Sequence, residues 1–270
     1  MDKIKLCAIV IWYNPSLNDV EKIKTYATYF SRLYIVDNSN TNNEYLLSEL
    51  PSYTYIPNYE NYGIAKAQNI ACQKALDENY EWALMMDQDS SWEPDQLEKY
   101  FSLIEEYEKK GYRSFGTRTA STLKIKSDVE DMDILMASGN FFSLKDWQIV
   151  GGFREEFFID EVDHDFSLKL QTKFGNCLVR FNTVFMEHKL GTPKKTLFKR
   201  LDFHKGKRLY YMTRNMLYLT KEHPAYNKRW SRRYAVGILF LQNIRDFQFK
   251  EVYYMIKGFI DYKKGKLGKI

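Results

Sequence analysis

A chain of 270 residues with 44% apolar content suits one substantial domain, or one with a smaller appended piece, and has no low-complexity tract. Cys7, Cys72 and Cys177 are isolated and odd in number, which argues against a disulfide framework or a cysteine metal cluster. The net charge of +5 is unevenly spread: residues 195–270 hold 19 Lys and Arg against 5 Asp and Glu, whereas residues 1–194 hold 21 against 30.

The first apolar run, "IKLCAIVIW", ends at Tyr-Asn-Pro and reads as a buried strand rather than a signal peptide. Residues 19–30 follow as a helix, with Val20, Ile23, Tyr26, Ala27 and Phe30 at helical spacing. "RLYIVDNS" is the next strand, then a short helix near 43–50 and the strand "YTYIPN". A helix through Ile64, Ala67, Ala71 and Ala75 precedes the strand "EWALMMD", and residues 96–109 form another helix. This β-α-β-α order predicts a mainly parallel sheet flanked by helices.

In such sheets ligands bind beyond the carboxyl ends of the strands. Three strands here finish in acids and amides, which places Asn14, Asp37, Asn38, Asp87 and Asp89 along one edge. A D-x-D turn supplies hard oxygen ligands for a divalent cation that also holds a diphosphate. Taken alone, Asp87-Gln88-Asp89 reads as an ordinary polar turn, because short D-x-D strings are common.

Further on, "NYGIAKAQN" sets Asn61, Gly63 and Asn69 around a helix start, and it matches no phosphate-binding glycine fingerprint. "SGN" (Ser138, Gly139, Asn140) and "GGF" read singly as turns. "FIDEVDHDF" packs Asp160, Glu161, Asp163 and Asp165 among apolar neighbours. Partial burial beside like charges suits a carboxylate to general-base work, while acids on a first helical turn also favour the helix dipole. His188 follows another strand-like run and is a candidate extra metal ligand if the D-x-D binds a cation. Beyond residue 195 the pattern becomes basic amphipathic helix. The last helix sets Val252, Met255, Ile256, Phe259 and Ile260 on one face.

The strings "WYNP", "IVDNS", "NYGIAKAQN", "LMMDQDSSW", "ASGNFFS", "VGGFREEFFIDEVDHDFSLKL" and "EHKLG", in this order over residues 12–191, resemble glycosyltransferase family 2, inverting enzymes of GT-A fold. "DQDS" and "FFIDEVDHDF" are most similar to its bacterial rhamnosyltransferase-like branch. The resemblance implies a GT-A, Rossmann-like donor-binding and catalytic domain over 1–194, with 195–270 a basic helical region packed on it at the membrane or acceptor side. It implies Asp37 at the donor's base or ribose beside the Tyr13–Asn14 turn, Asp87 at the ribose and diphosphate, and Asp89 with His188 on Mg²⁺ or Mn²⁺. Asp163 is the implied base, with Asp165 beside it and Asp160 as runner-up; a shifted register favours Glu161. Ser138, Gly139 and Asn140 would lie on the acceptor side, and Lys169 stands where the family has an arginine.

The implied donor is dTDP-L-rhamnose, with UDP-galactose, UDP-galactofuranose, UDP-glucose and UDP-N-acetylhexosamines as alternatives. The implied acceptor is a lipid-linked saccharide or oligosaccharide in cell-surface polysaccharide assembly. A basic tail then fits an anionic membrane at its cytoplasmic face, or a solvated surface supporting homo-oligomers. No nucleic-acid-binding motif is present in it. A nucleotidyltransferase is disfavoured because "WYNPSLNDVEK" lacks a glycine-rich basic loop, and a non-catalytic sugar-binding or scaffold protein would have no use for Asp163.

Overall fold

The computed structural model describes residues 5–119, 127–188, 206–224 and 232–270. Strand β1 (Leu6–Trp12) consists of seven buried residues, and the alternation of its side chains feeds two cores. Cys7, Ile9 and Ile11 face a layer built from α2 (Ile64–Asp77), α4 (Leu144–Ile149) and α5 (Val162–Phe174). Leu6, Ala8, Val10 and Trp12 face α1 (Leu17–Ala27) and α3 (Pro94–Glu108). The three cysteines are free and buried.

β2 (Arg32–Asp37), β3 (Tyr53–Pro57) and β4 (Trp82–Asp87) join β1 in parallel, so their carboxyl ends share one edge. Trp12 is in register with Asp37, and Ile11 with Asp87. The remaining strands are β5 (Ser90–Ser91), β6 (Ser114–Thr119), β7 (Val129–Asp131), β8 (Asn140–Ser143) and β9 (Leu178–His188). The order is β3-β2-β1-β4-β8-β6-β9-β5, with β7 paired to β9. β8 is antiparallel to both neighbours, an irregularity the repeating β-α pattern did not reveal. The expected helix near 43–50 is only a 3-10 turn at Glu44–Leu47.

The basic region forms α6 (Lys207–Glu222), α7 (Arg232–Arg245) and α8 (Phe249–Lys263). α6 and α8 pack closely because Gly258 has no side chain: a Cβ there would lie 2.5 Å from the Tyr210 carbonyl. The Tyr210 hydroxyl donates to Asp261 at 3.0 Å, and Lys257 pairs with the same carboxylate at 2.7 Å. Met255 is buried on this inner side, so the expected stripe of Val252, Met255, Ile256, Phe259 and Ile260 is split between two faces. Residues 189–205, containing the 194/195 boundary and the end of "EHKLG", lie outside the described residues.

Candidate active site

β4 ends at Asp87, and the chain turns through Gln88 and Asp89 into the two-residue β5. β5 pairs antiparallel with the end of β9, with Ser90 opposite His188. This short ladder brings the histidine beside the D-x-D turn from across the sheet. Asp87, Asp89 and His188 each offer a ligand atom within 4.8 Å of the others. His188 Nδ1 lies 2.8 Å from Ser90 Oγ and 3.2 Å from Asp89 Oδ1. Two carboxylates and an imidazole suit Mn²⁺ or Mg²⁺, with nitrogen favouring the former.

Burial raises the Asp87 pKa to about 6; His188 opposes this rise, Asp89 and Asp163 add to it, and Arg208 opposes it. The hydrogen bond with His188 holds Asp89 below the usual carboxylate range and lifts the imidazole above its own. Asp163 and Arg208 are therefore within electrostatic reach of the triad.

The acidic loop lies opposite. After the 3-10 turn Glu155–Phe157, Phe158, Asp160 and Glu161 take left-handed φ values of 66°, 63° and 63°. Such backbone is costly away from glycine and persists only where surroundings enforce it. α6 supplies the enforcement. Asn215 Nδ2 lies 3.0 Å from the Phe157 carbonyl and 2.9 Å from those of Ile159 and Asp160. Arg214, fully buried, donates to the carbonyls of Glu156 and Phe157 at 3.0 and 3.2 Å. Phe158 stacks on Tyr211, and its carbonyl accepts from the Ile64 N–H at 2.7 Å. Gly63, with φ 86°, is required here, since a Cβ would lie 2.5 Å from the same carbonyl.

The four acids of the loop have different partners. Asp160 pairs with Arg208 Nη2 at 2.5 Å, and Glu161 with His164 Nδ1 at 2.7 Å. Asp165 is buried against Lys169 at 2.8 Å and Arg154 at 3.6 Å. Asp163 keeps a partly exposed carboxylate, which accepts the backbone N–H of His164 at 3.0 Å. Asp165 therefore cannot stand beside Asp163 as an open acid; it fixes α5 instead.

The other expected contacts resolve in several ways. Gln88 Oε1 accepts the Tyr13 N–H at 2.7 Å, and the Asn14 N–H donates to Ser39 Oγ, so the loops after β1, β2 and β4 are tied together. Tyr13 is half exposed at this edge. Asp37 is buried, and accepts from Ser39 N–H, Asn43 Nδ2 and Tyr55 OH, each at 2.8 Å. Asn38 bridges the Gly63 carbonyl and the Asn58 amide, and Asn61 Oδ1 accepts the Gly63 N–H.

Three placements depart from expectation. Asn69 spends its amide on the 147–155 turn, bonding both N–H and C=O of Phe153 and the Trp147 indole, because α2 packs its side chain there. Asn140 is buried in the sheet, accepting from Ser114 Oγ at 2.7 Å, and does not line an acceptor cleft. Ser138 is also buried, and its Oγ accepts the Asp87 N–H at 3.0 Å and contacts Ser90 Oγ at 2.8 Å. Gly139 forms the turn behind it at φ 78°, so "SGN" backs the D-x-D turn. A groove between α2 and α4, lined by Ile56, Ile70, Trp147 and Gly152, contains none of the triad.

Sequence reasoning missed Arg208, Arg214 and Asn215. For Arg214 and Asn215 the signal available was "TRNM", two strongly polar residues inside an otherwise apolar helix repeat.

The sequence matches the model of glycosyl transferase family 2 over residues 19–165. The dTDP-rhamnosyl transferase RfbF of Shigella flexneri is 26% identical over 239 residues, 80% of each chain. TarS of S. aureus superposes with a TM-score of 0.58 at 15% identity, over 80% of this chain and 40% of that one. GalNAc-T7, solved with UDP, GalNAc and Mn²⁺, gives 0.55 at 12% identity over 68% of this chain and 44% of its own. The chain thus spans less than half of either solved neighbour, and that likeness concerns the fold.

Proposed function

Since the chain belongs to glycosyltransferase family 2 and carries the GT-A fold, we propose that it moves L-rhamnose from dTDP-L-rhamnose to a hydroxyl of a lipid-linked saccharide, inverting the anomeric centre. The observation that carries this reading is the triad of Asp87, Asp89 and His188, with the partly exposed Asp163 carboxylate close enough to help raise the Asp87 pKa. The similarity to RfbF supports the rhamnosyl donor.

Asp89, His188 and Asp87 would hold Mn²⁺ or Mg²⁺, whose charge neutralises a departing diphosphate. Asp163 accepts the proton of the acceptor hydroxyl as its oxygen bonds to the anomeric carbon and the bond to the diphosphate oxygen breaks. With a single displacement and no covalent sugar intermediate, configuration inverts. Asp160 and Glu161 are held by Arg208 and His164, which leaves Asp163 the acid best able to take that proton. The nucleotide lies along the Tyr13–Asn14 and Asp37–Asn38 edge, with the Tyr13 ring as a stacking surface. The buried Asp37 carboxylate fixes the shape of this edge through Asn43 and Tyr55.

In this reading residues 1–194 bind donor and perform the chemistry, and residues 195–270 pack on them at the acceptor side. No helix among the described residues is long and apolar enough to cross a membrane. The excess of Lys and Arg beyond residue 195 supports attachment to the anionic inner face of the cell membrane, where a lipid-linked acceptor would lie.

The test is nucleoside diphosphate release from dTDP-rhamnose, UDP-galactose, UDP-glucose and UDP-N-acetylglucosamine, with Mn²⁺ or with EDTA. Release from dTDP-rhamnose above the others, abolished by EDTA, is expected. Preference for a UDP-sugar would overturn the donor, and release unaffected by EDTA would overturn the cation.

A further inference from the structure

α8 is a two-faced helix whose outer face has no partner among the described residues. Met255, Gly258 and Asp261 are buried against α6, while Phe249 (68% exposed), Tyr253 (59%), Ile256 and Ile260 form one outward stripe. At the corner joining α7 to α8, Phe247 is 76% exposed, and its ring lies 6.1 Å from that of Phe249. α7 adds Leu241, 64% exposed, and Ile244. Several large apolar and aromatic side chains exposed together at one corner of a protein mark an interaction site.

The charge around the patch is predominantly positive, and two of its acids, Asp246 and Asp261, are paired with Arg245 and Lys257. Lys250, Lys263, Lys264 and Lys266 are exposed, and Lys263 Nζ lies 5.5 Å from the Phe259 ring centre. Residues 236–270 contain seven Lys and Arg against three Asp and Glu.

We propose that the α7–α8 corner enters the interfacial layer of an anionic phospholipid membrane, with Phe247, Phe249, Leu241 and Tyr253 among the acyl chains and the lysines at the headgroups. Charge complementarity favours lipid over a second copy of the chain. A two-fold contact through this face would bring its lysines toward one another, whereas anionic headgroups neutralise them. Aromatic and aliphatic residues outward with lysines at the margin is the pattern of a helix lying in the interface.

The placement also suits the acceptor, and in purpose the inference rests on the proposed lipid-linked substrate. Tyr254 of α8 lies against the start of α6, where a Cβ on Gly206 would be 3.8 Å from its ring. Two residues later Arg208 pairs with Asp160 in the acidic loop. A saccharide tethered to lipid would then reach Asp163 without the protein leaving the surface.

The experiment is co-sedimentation of the full chain with phosphatidylglycerol–phosphatidylethanolamine vesicles, and with phosphatidylcholine vesicles for comparison, without donor or acceptor. The wild type should bind the anionic vesicles and bind the neutral ones far less. Phe247→Ser with Phe249→Ser should lower partitioning roughly tenfold or more, as should Leu241→Ser with Tyr253→Ser. Both pairs are exposed and lie outside the catalytic machinery, so nucleoside diphosphate release with a water-soluble acceptor should stay at the wild-type rate. The proposal is overturned if the wild type stays in the supernatant, or if both double variants bind like the wild type. It is also overturned if light scattering shows a dimer that these substitutions dissolve while no vesicle binding is seen. Failure of vesicle binding would leave the transfer reaction standing, and failure of transfer would leave the lipid face standing.

Discussion

His188 Nδ1 lies 3.2 Å from Asp89 Oδ1, a contact between the end of β9 and the turn before β5, made because Ser90 and His188 face each other across the β5–β9 ladder. Each of these side chains is a proposed cation ligand. Asp89→Asn and His188→Ala should each weaken Mn²⁺-dependent binding of dTDP by at least about tenfold, as loss of even an indirect ligand contact does at metal sites. Titration calorimetry with and without Mn²⁺ reads this directly. Equal affinity in the presence and absence of metal would remove the cation from the mechanism.

Among the described residues the basic side chain nearest the Asp163 carboxylate is His164, whose Nε2 is 4.0 Å away, a looser hold than its acidic neighbours have. Asp163→Asn should slow transfer by roughly 10²–10⁴-fold, the usual contribution of a general base, with dTDP affinity unchanged. Asp160→Asn and Glu161→Gln should cost less in rate, since Arg208 and His164 hold those groups. A larger loss in either would move the base to that residue.

The side chain of Asn215 serves the acidic loop rather than its own helix. Asn215→Ala removes contacts to three carbonyls from a fully buried site and should destabilise the protein by about 1–3 kcal/mol, read from denaturant midpoints. Transfer should slow as well, because Phe158, Asp160 and Glu161 would lose support for their positive-φ backbone. Loss of stability with an unchanged rate would show that the loop holds its geometry without α6.

Asp261 joins α8 to α6 through the Tyr210 hydroxyl and pairs within α8 with Lys257. The Lys257 hydrogen bond holds its carboxyl below the ordinary value of 3.8, while Lys257 is raised above 10.5 by the same bond. For the acid, whose folded pKa is depressed, the stabilisation is present above 3.8 and lost as pH falls through the folded value. For the lysine it is present below 10.5 and lost as pH rises through its raised value. Asp261→Asn should therefore lower the thermal midpoint at neutral pH, and the gap from wild type should close in acid. A constant gap across the acid range would contradict this coupling.

Much of the catalytic half was legible in sequence because its signals are local. Strand burial, helix spacing and acids at strand ends follow from neighbouring residues, and they located the edge carrying residues 13–14, 37–38 and 87–89. His188 was identified as a candidate ligand, but what brings it to Asp89 is a two-residue ladder too short to leave a periodic pattern. Ser138 and Asn140 went astray because a polar residue in a turn or at a strand start gives no sign of which way it points, and here both are buried. The split face of α8 depends on Gly258 meeting Tyr210, a contact that no hydrophobic repeat encodes.

The hold of α6 on the acidic loop bears on how such enzymes diversify. Arg208, Arg214 and Asn215 lie beyond residue 165, where the family match ends, yet they grip residues 156–160. Exchanging α6 for a relative's would remove the supports of residues 156–160, so a chimaera that transplants the acidic loop together with α6 should be more stable than one that transplants either alone.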